Sequence, residues 1–204
     1  MSKENEKKIQ NQLDQELVNR TLSGDTRAFE RLVDKYKKRV YYLAYRMTRD
    51  HDSADELAQE SFVKAYQALK SFKQGYNFYT WIYRICVNLS INFLKRERHT
   101  VSADLLMESN QFPEAGSEVD QLERMITTEQ AGIVKKALDL LPPEQKAAFL
   151  LKTLDNLSYE EMSEVMGCSI GTVMSRLFRA RQKLKGVLRS AEIESDDRDE
   201  RMQI

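Results

Sequence analysis

Apolar residues recur along this chain at the three- and four-residue steps of helices, and no stretch shows the alternation of a half-buried strand. Ala28, Phe29, Leu32, Val33, Tyr36, Val40, Leu43, Ala44 and Met47 form one clean stripe. Asp25 stands where an N-cap belongs, and the polar run Thr48 to Asp52 marks the end of that helix. A second helix is expected to open at Ser53, where Ser-x-x-Glu with Glu56 reads as a capping box, and to bury Leu57, Ala58, Phe62, Ala65 and Leu69. Beyond a loop around Gly75, Phe78, Ile82, Ile85, Leu89 and Phe93 return at steps of four, three, four and four. With a short helix near residues 13–22, these elements predict a first helical unit over residues 1–98.

The pattern dissolves over residues 99–122, which hold Pro113 and Gly116 and read as a mobile linker. A second helical unit is expected over residues 123–190, with a helix up to Leu141, a break at Pro142-Pro143 and a helix through the run Glu144 to Leu154. Ser158 and Glu161 then make another capping box, with Tyr159, Met162, Val165 and Met166 facing inward. Gly167 suits the left-handed position that closes a helix, and Ser169 can cap the next, which repeats Val173, Leu177, Ala180, Leu184 and Leu188. A short helix, a glycine turn and a longer basic helix form a helix-turn-helix. The expected fold is all-α: two small helical domains joined by a flexible acidic linker, the second carrying the helix-turn-helix, then an acidic tail over 191–204.

Charge changes this picture more than composition does. A chain of 204 residues has room for one medium domain or two small ones, and its formal net charge of zero argues weakly against nucleic acid. The average hides a segregation. Arg176, Arg179, Arg181, Lys183, Lys185 and Arg189 follow one another without an acid, whereas Asp104, Glu108, Glu114, Glu118, Asp120, Glu123 and Glu129 face Arg124 alone. Different surfaces therefore meet different partners. The two cysteines, Cys86 and Cys168, lie inside helical segments and outside any Cys/His cluster, so neither a disulfide scaffold nor a zinc site is expected. No apolar run approaches a membrane span and the first residues lack a signal peptide's apolar core, so a cytoplasmic, non-membrane protein without cofactor is expected.

Three faces carry candidate chemistry. On the third helix, Trp81, Arg84, Asn88, Asn92 and then Lys95 or Arg96 share a side without a carboxylate, preceded by Tyr76, Phe78 and Tyr79. Rings that stack, amides that read base edges and a cation suit unstacked bases, although Phe78 has a strong claim to the core. On the helix-turn-helix, Ser169, Gly171, Thr172, Ser175, Arg176 and Arg179 lie off the buried stripe and suit base edges and phosphates, and the ring of Phe178 suits a thymine methyl. On the second helix, Asp55, Glu56, Gln59 and Glu60 form an acidic side. Metal ligation would need carboxylates converging from different elements, so a protein-docking face is the stronger functional reading, beside a plain solvated one. A self-sufficient helix-turn-helix regulator predicts tight operator binding without a partner enzyme; a metal-dependent nuclease predicts cleavage by the chain alone.

The motifs together resemble the extracytoplasmic-function (ECF) sigma factors of bacterial RNA polymerase, over about Leu17 to Leu188. "ADELAQESFVKAY" is similar to region 2.2, which implies that Asp55, Glu56, Gln59 and Glu60 bind the clamp helices of the core enzyme. "FYTWIYRICVNLSINFLKR" is similar to regions 2.3 and 2.4, which open and read the −10 element; this implies such a role for Tyr76, Phe78, Tyr79, Trp81, Arg84, Asn88, Asn92 and Arg96. The stretch from Leu141 to Leu184 is similar to region 4, which implies −35 contacts from Ser169, Gly171, Thr172, Ser175, Arg176, Phe178 and Arg179. Met174 stands where many members have Lys or Arg, Lys146 where Arg is common, and Asn92 where Asp is usual. The resemblance implies no catalysis in the chain itself, the core polymerase and promoter DNA as partners, and an anti-sigma factor, often membrane-bound, that holds the protein inactive.

Overall fold

The computed structural model describes residues 3–73, 75–104 and 128–202, and every regular element among them is helical. The first unit has four helices: α1 (Lys3–Leu22), α2 (Thr26–Thr48), α3 (His51–Ala68) and α4 (Phe78–Asp104), with a 3-10 turn at Leu69–Ser71 after α3. The stripe expected for α2 is buried as read, apart from half-exposed Val33. Its start differs from expectation. Asp25 sits at the N-cap, but its carboxylate takes two hydrogen bonds from Arg20 at 3.1 and 2.7 Å and caps nothing. A charged guanidinium five residues back outcompetes the neutral backbone N–H groups.

The capping box expected at Ser53 and Glu56 is likewise displaced. Asp50 caps α3, accepting from the backbone N–H of Ser53 at 2.7 Å, so Ser53 lies in the first turn. That hydrogen bond holds the Asp50 carboxyl below the usual carboxylate range. α1 is tied down by buried Asp14, which accepts from the Tyr36 hydroxyl at 2.5 Å and pairs with Lys35. Burial, reinforced by Asp14, pushes the Tyr36 hydroxyl far above its ordinary pKa.

The second unit runs α5 (Thr128–Asp139), α6 (Pro143–Thr153), α7 (Tyr159–Met166) and α8 (Ile170–Met202). Pro143 opens α6 at its first turn, where a missing N–H costs nothing. Both halves of the Ser158–Glu161 capping box form, at 3.1 and 2.8 Å. Gly167 ends α7 at φ 59°, and the Ser169 hydroxyl accepts from the N–H of Thr172 at 3.2 Å. Val173, Leu177, Ala180 and Leu184 are buried as the periodicity requires, with Leu188 half-exposed. The backbone of α8 continues helical through the acidic tail to Met202. Most of the expected linker, from residue 105 on, lies outside the described residues, and α4 itself runs past residue 98 to Asp104.

α4 is buried more widely than one stripe predicts. Besides Phe78 and Ile82, the chain hides Thr80, Tyr83, Cys86, Val87 and Ser90. One side meets α2 and α3; another meets α6 and α7, so a single buried cluster runs from Val18 through α4 to Val165 and Val173. A smaller cluster of Ala137, Leu138, Leu141, Ala180 and Leu184 fixes α5 on α8.

Candidate nucleic-acid interface

Helix α8 leaves the turn at Gly167 with one side on the core and the other in solvent. Gly171, Ser175, Phe178 and Arg179 are exposed, Phe178 by 62%. Thr172 is half-buried, and exposed Ser169 shares a 2.9 Å hydroxyl–hydroxyl hydrogen bond with it. Arg176 is also half-buried: its guanidinium donates to the Cys168 sulfur at 3.5 Å, and its charge reaches Glu144. Arg176 thus stiffens the turn as well as facing outward. Exposed Ile170 and Met174 continue the line of Phe178 at four-residue steps, giving this helix an apolar seam beside its cations. Arg181, Lys185 and Arg189 are exposed further along, whereas Lys183 donates to the Leu140 carbonyl at 2.7 Å and closes the end of α5.

On α4 the Asn77 side chain accepts from the N–H of Tyr79 at 3.0 Å and so fixes the first turn. Arg84, Asn88, Asn92 and Arg96 are exposed, and Trp81 is half-exposed with its ring packed on Phe72 and Phe78, centroids 5.1 and 5.7 Å away. Arg84, Asn88, Asn92 and Trp81 therefore share one wet side, the indole seated on an aromatic base. Phe78 does not belong to it: the residue is 0% exposed, and its ring supports Trp81 from within. Tyr79 is turned away as well. It lies against Tyr83, ring centroids 4.2 Å apart, and under the Arg39 guanidinium, and burial pushes its pKa up to about 12. Tyr76 stays half-exposed in the loop, its carbonyl held by the Gln15 amide at 2.7 Å.

On α3, Asp55, Glu56, Gln59 and Glu60 are exposed; Gln59 donates to Asp55 at 2.7 Å and Lys64 pairs with Glu60 at 3.4 Å. The same helix exposes Val63 by 54% and Tyr66 by 48%, with Tyr66 standing edge-on to Phe29. These two apolar side chains were missed in the sequence, although their places outside the Leu57, Phe62 and Leu69 stripe already marked them as outward. A face with carboxylates around apolar rings suits a protein better than a nucleic acid. Among the described residues, no three His, Cys, Asp or Glu side chains gather as a metal site, and no helix is long and apolar enough to cross a membrane.

Comparison with known proteins matches two stretches of the chain. Residues 32–100 match the family model of sigma-70 region 2, and residues 131–184 match that of sigma-70 region 4. The RNA polymerase sigma-H factor of Pseudomonas aeruginosa is 39% identical over 180 residues, which span 86% of this chain and 93% of that protein. The ECF RNA polymerase sigma-E factor of Haemophilus influenzae is 40% identical over 84% of this chain and 93% of its own length. The sigma-E factor of Escherichia coli K12 is also 40% identical, over 84% and 92%. Among solved structures, CnrH in complex with the cytosolic domain of CnrY aligns with TM-score 0.61 and 25% identity, covering 87% of this chain and 98% of that one. The sigma factor RpoE bound to the anti-sigma factor NepR, from Bartonella quintana, aligns with TM-score 0.58 and 27% identity over 79% and 96%.

Proposed function

The chain belongs to the ECF sigma factors of bacterial RNA polymerase, and from that premise we propose how its three faces divide the work of promoter-specific initiation. The unit over residues 1–98 holds the core enzyme and handles the −10 element, residues 99–122 link, the unit over 123–190 reads the −35 element, and residues 191–204 form a tail. Asp55, Glu56, Gln59 and Glu60, with Val63 and Tyr66 beside them, dock on core. Ser169, Gly171, Thr172, Ser175, Arg176, Phe178 and Arg179 grip duplex DNA, where the exposed cations neutralise phosphates and the apolar seam meets thymine methyls.

The observation that carries this reading is the wet side of α4. Trp81 rests on buried Phe72 and Phe78, so its ring is already fixed before a base arrives, and Arg84, Asn88 and Asn92 stand beside it. Unstacking a base costs a few kcal/mol, and a rigid aromatic platform with amide donors offsets that cost. Tyr76 and Arg96 flank the platform; Phe78 and Tyr79 act through packing. Permanganate footprinting of promoter complexes tests it: Trp81→Ala is expected to keep core and duplex binding and to lose reactivity of unpaired thymines near −10. Wild-type reactivity in that variant contradicts the reading.

Catalysis in this scheme belongs to core, and the chain performs none. It works in the cytoplasm, without a cofactor. The solved relatives CnrH and RpoE are each held by a partner protein, and an anti-sigma partner, soluble or membrane-bound, is proposed for this chain as well.

A further inference from the structure

The acid-free row of cations on α8 has a counterpart on α2. Arg27, Arg31, Lys35, Lys38, Tyr42 and Arg46 recur at steps of four, four, three, four and four, which sets them along one flank without a carboxylate. The two acids of α2, Glu30 and Asp34, stand on the neighbouring line, where Asp34 pairs with Lys37 at 2.7 Å. Lys35 is held by buried Asp14 of α1, and Arg46 stands 3.8 Å from Asp155. Arg27, Arg31 and Lys38 are exposed, and among the described residues their side chains have no hydrogen bond, ion pair or ring contact. Arg27, Arg31 and Lys35 are like charges at four-residue steps, an arrangement that weakens a helix unless an anion lies against it.

We infer that this flank of α2 binds phosphate groups: in the complex with core polymerase, Arg27, Arg31 and Lys38 hold the backbone of promoter DNA as a third contact, blind to sequence. The inference rests on the reading proposed above, in which α4 and α8 meet the same DNA. The flank is a surface of its own. Arg39 beside it lies over the ring of Tyr79, which is turned away from Trp81 and the wet side of α4.

Dimensions and chemistry both favour nucleic acid over other anions. From Arg27 to Lys38 the helix rises about 16 Å, as much as about five phosphates of one strand at 3.4 Å each. A protein-docking face carries apolar side chains at its centre, as α3 does with Val63 and Tyr66, and a lipid surface takes a helix whose apolar side faces outward. On α2, Tyr42 is the one large apolar side chain that stands exposed, and its ring meets Tyr41 edge-on. What remains is a line of free cations, which suits a phosphate backbone.

The test pairs core polymerase with the full chain and measures the affinity of that complex for promoter DNA and for random duplex between 0.1 and 0.3 M salt. Each phosphate contact adds about 0.9 to the salt slope, so Arg31→Gln with Lys38→Gln is expected to weaken binding to both DNAs by a deficit that shrinks about sevenfold over that range. Core affinity and melting temperature should match the parent. Arg31→Lys with Lys38→Arg keeps the charges and should keep the slope; Lys37→Gln, on the neighbouring line, should leave it unchanged. A double Gln variant with the parent's slope overturns the inference, and so does a loss that falls on core affinity, which would make the flank a docking site for core. A parent complex that binds promoter no better than random duplex sinks the functional reading instead, and the slope on random duplex still decides the flank.

Discussion

The Arg84 guanidinium of α4 lies against Gly167, the residue that turns the chain into the recognition helix, close enough that an added Cβ would meet it at 3.2 Å. Gly167 holds φ 59°, a conformation that costs an L-residue about 1 kcal/mol. Gly167→Ala is therefore expected to lose about 1 kcal/mol in urea denaturation. Most of that is backbone strain, because the flexible end of Arg84 can move aside. Gly167→Asn should lose less. An alanine variant as stable as the parent would show that the turn relaxes.

Core docking is separable from folding. Gln59 and Glu60 are exposed, and their contacts stay within α3. Changing both to Lys is expected to abolish association with core polymerase, measured by interferometry, and to leave the melting temperature within a few degrees. Unchanged affinity would remove this face from the account.

Arg179 is the cleanest probe of the upstream contact, because it is exposed and its neighbour Arg176 also braces the turn through Cys168. Arg179→Ala is expected to weaken binding of the polymerase complex by about 1–3 kcal/mol, with core affinity intact. If the loss is equal on promoter and random DNA, the residue holds phosphate; if it falls on the promoter alone, it reads a base.

Much of the fold could be read locally. The stripes of α2 and α8, the Ser158–Glu161 box and the Gly167 turn each depend on residues within a few positions, and each stands where the spacing puts it. The failures have distant causes. Arg20 draws Asp25 out of its capping role, and Asp50 takes the cap assigned to Ser53. Tyr83, Thr80 and Val87 are buried by a segment some seventy to eighty residues away, which no period on α4 could announce. Of the aromatic residues placed against bases, Phe78 and Tyr79 pack instead against Tyr36 of α2, with Phe72 and Trp81 on Phe78 and Arg39 and Tyr83 on Tyr79.

Acid should loosen the contact between the units. Burial alone would raise the Glu144 carboxyl, but the Lys95 hydrogen bond and charge, with Arg176 nearby, hold it below its ordinary value of 4.5. A depressed pKa in the folded chain means the pair contributes fully above the unfolded value and is lost as pH falls through the lowered one. Stability in urea is expected to fall below about pH 4.5, and Glu144→Gln should flatten that step. A fall of the same size in both chains assigns the effect elsewhere.

Transcription in vitro, with purified core polymerase, this chain and fragments of the genome it comes from, weighs the central claim most directly. The account predicts discrete start sites that appear only when chain and core are both present, each preceded by a shared pair of upstream elements. Starts that are no different when the chain is left out, or tight site-specific binding of duplex by the chain alone, would contradict it.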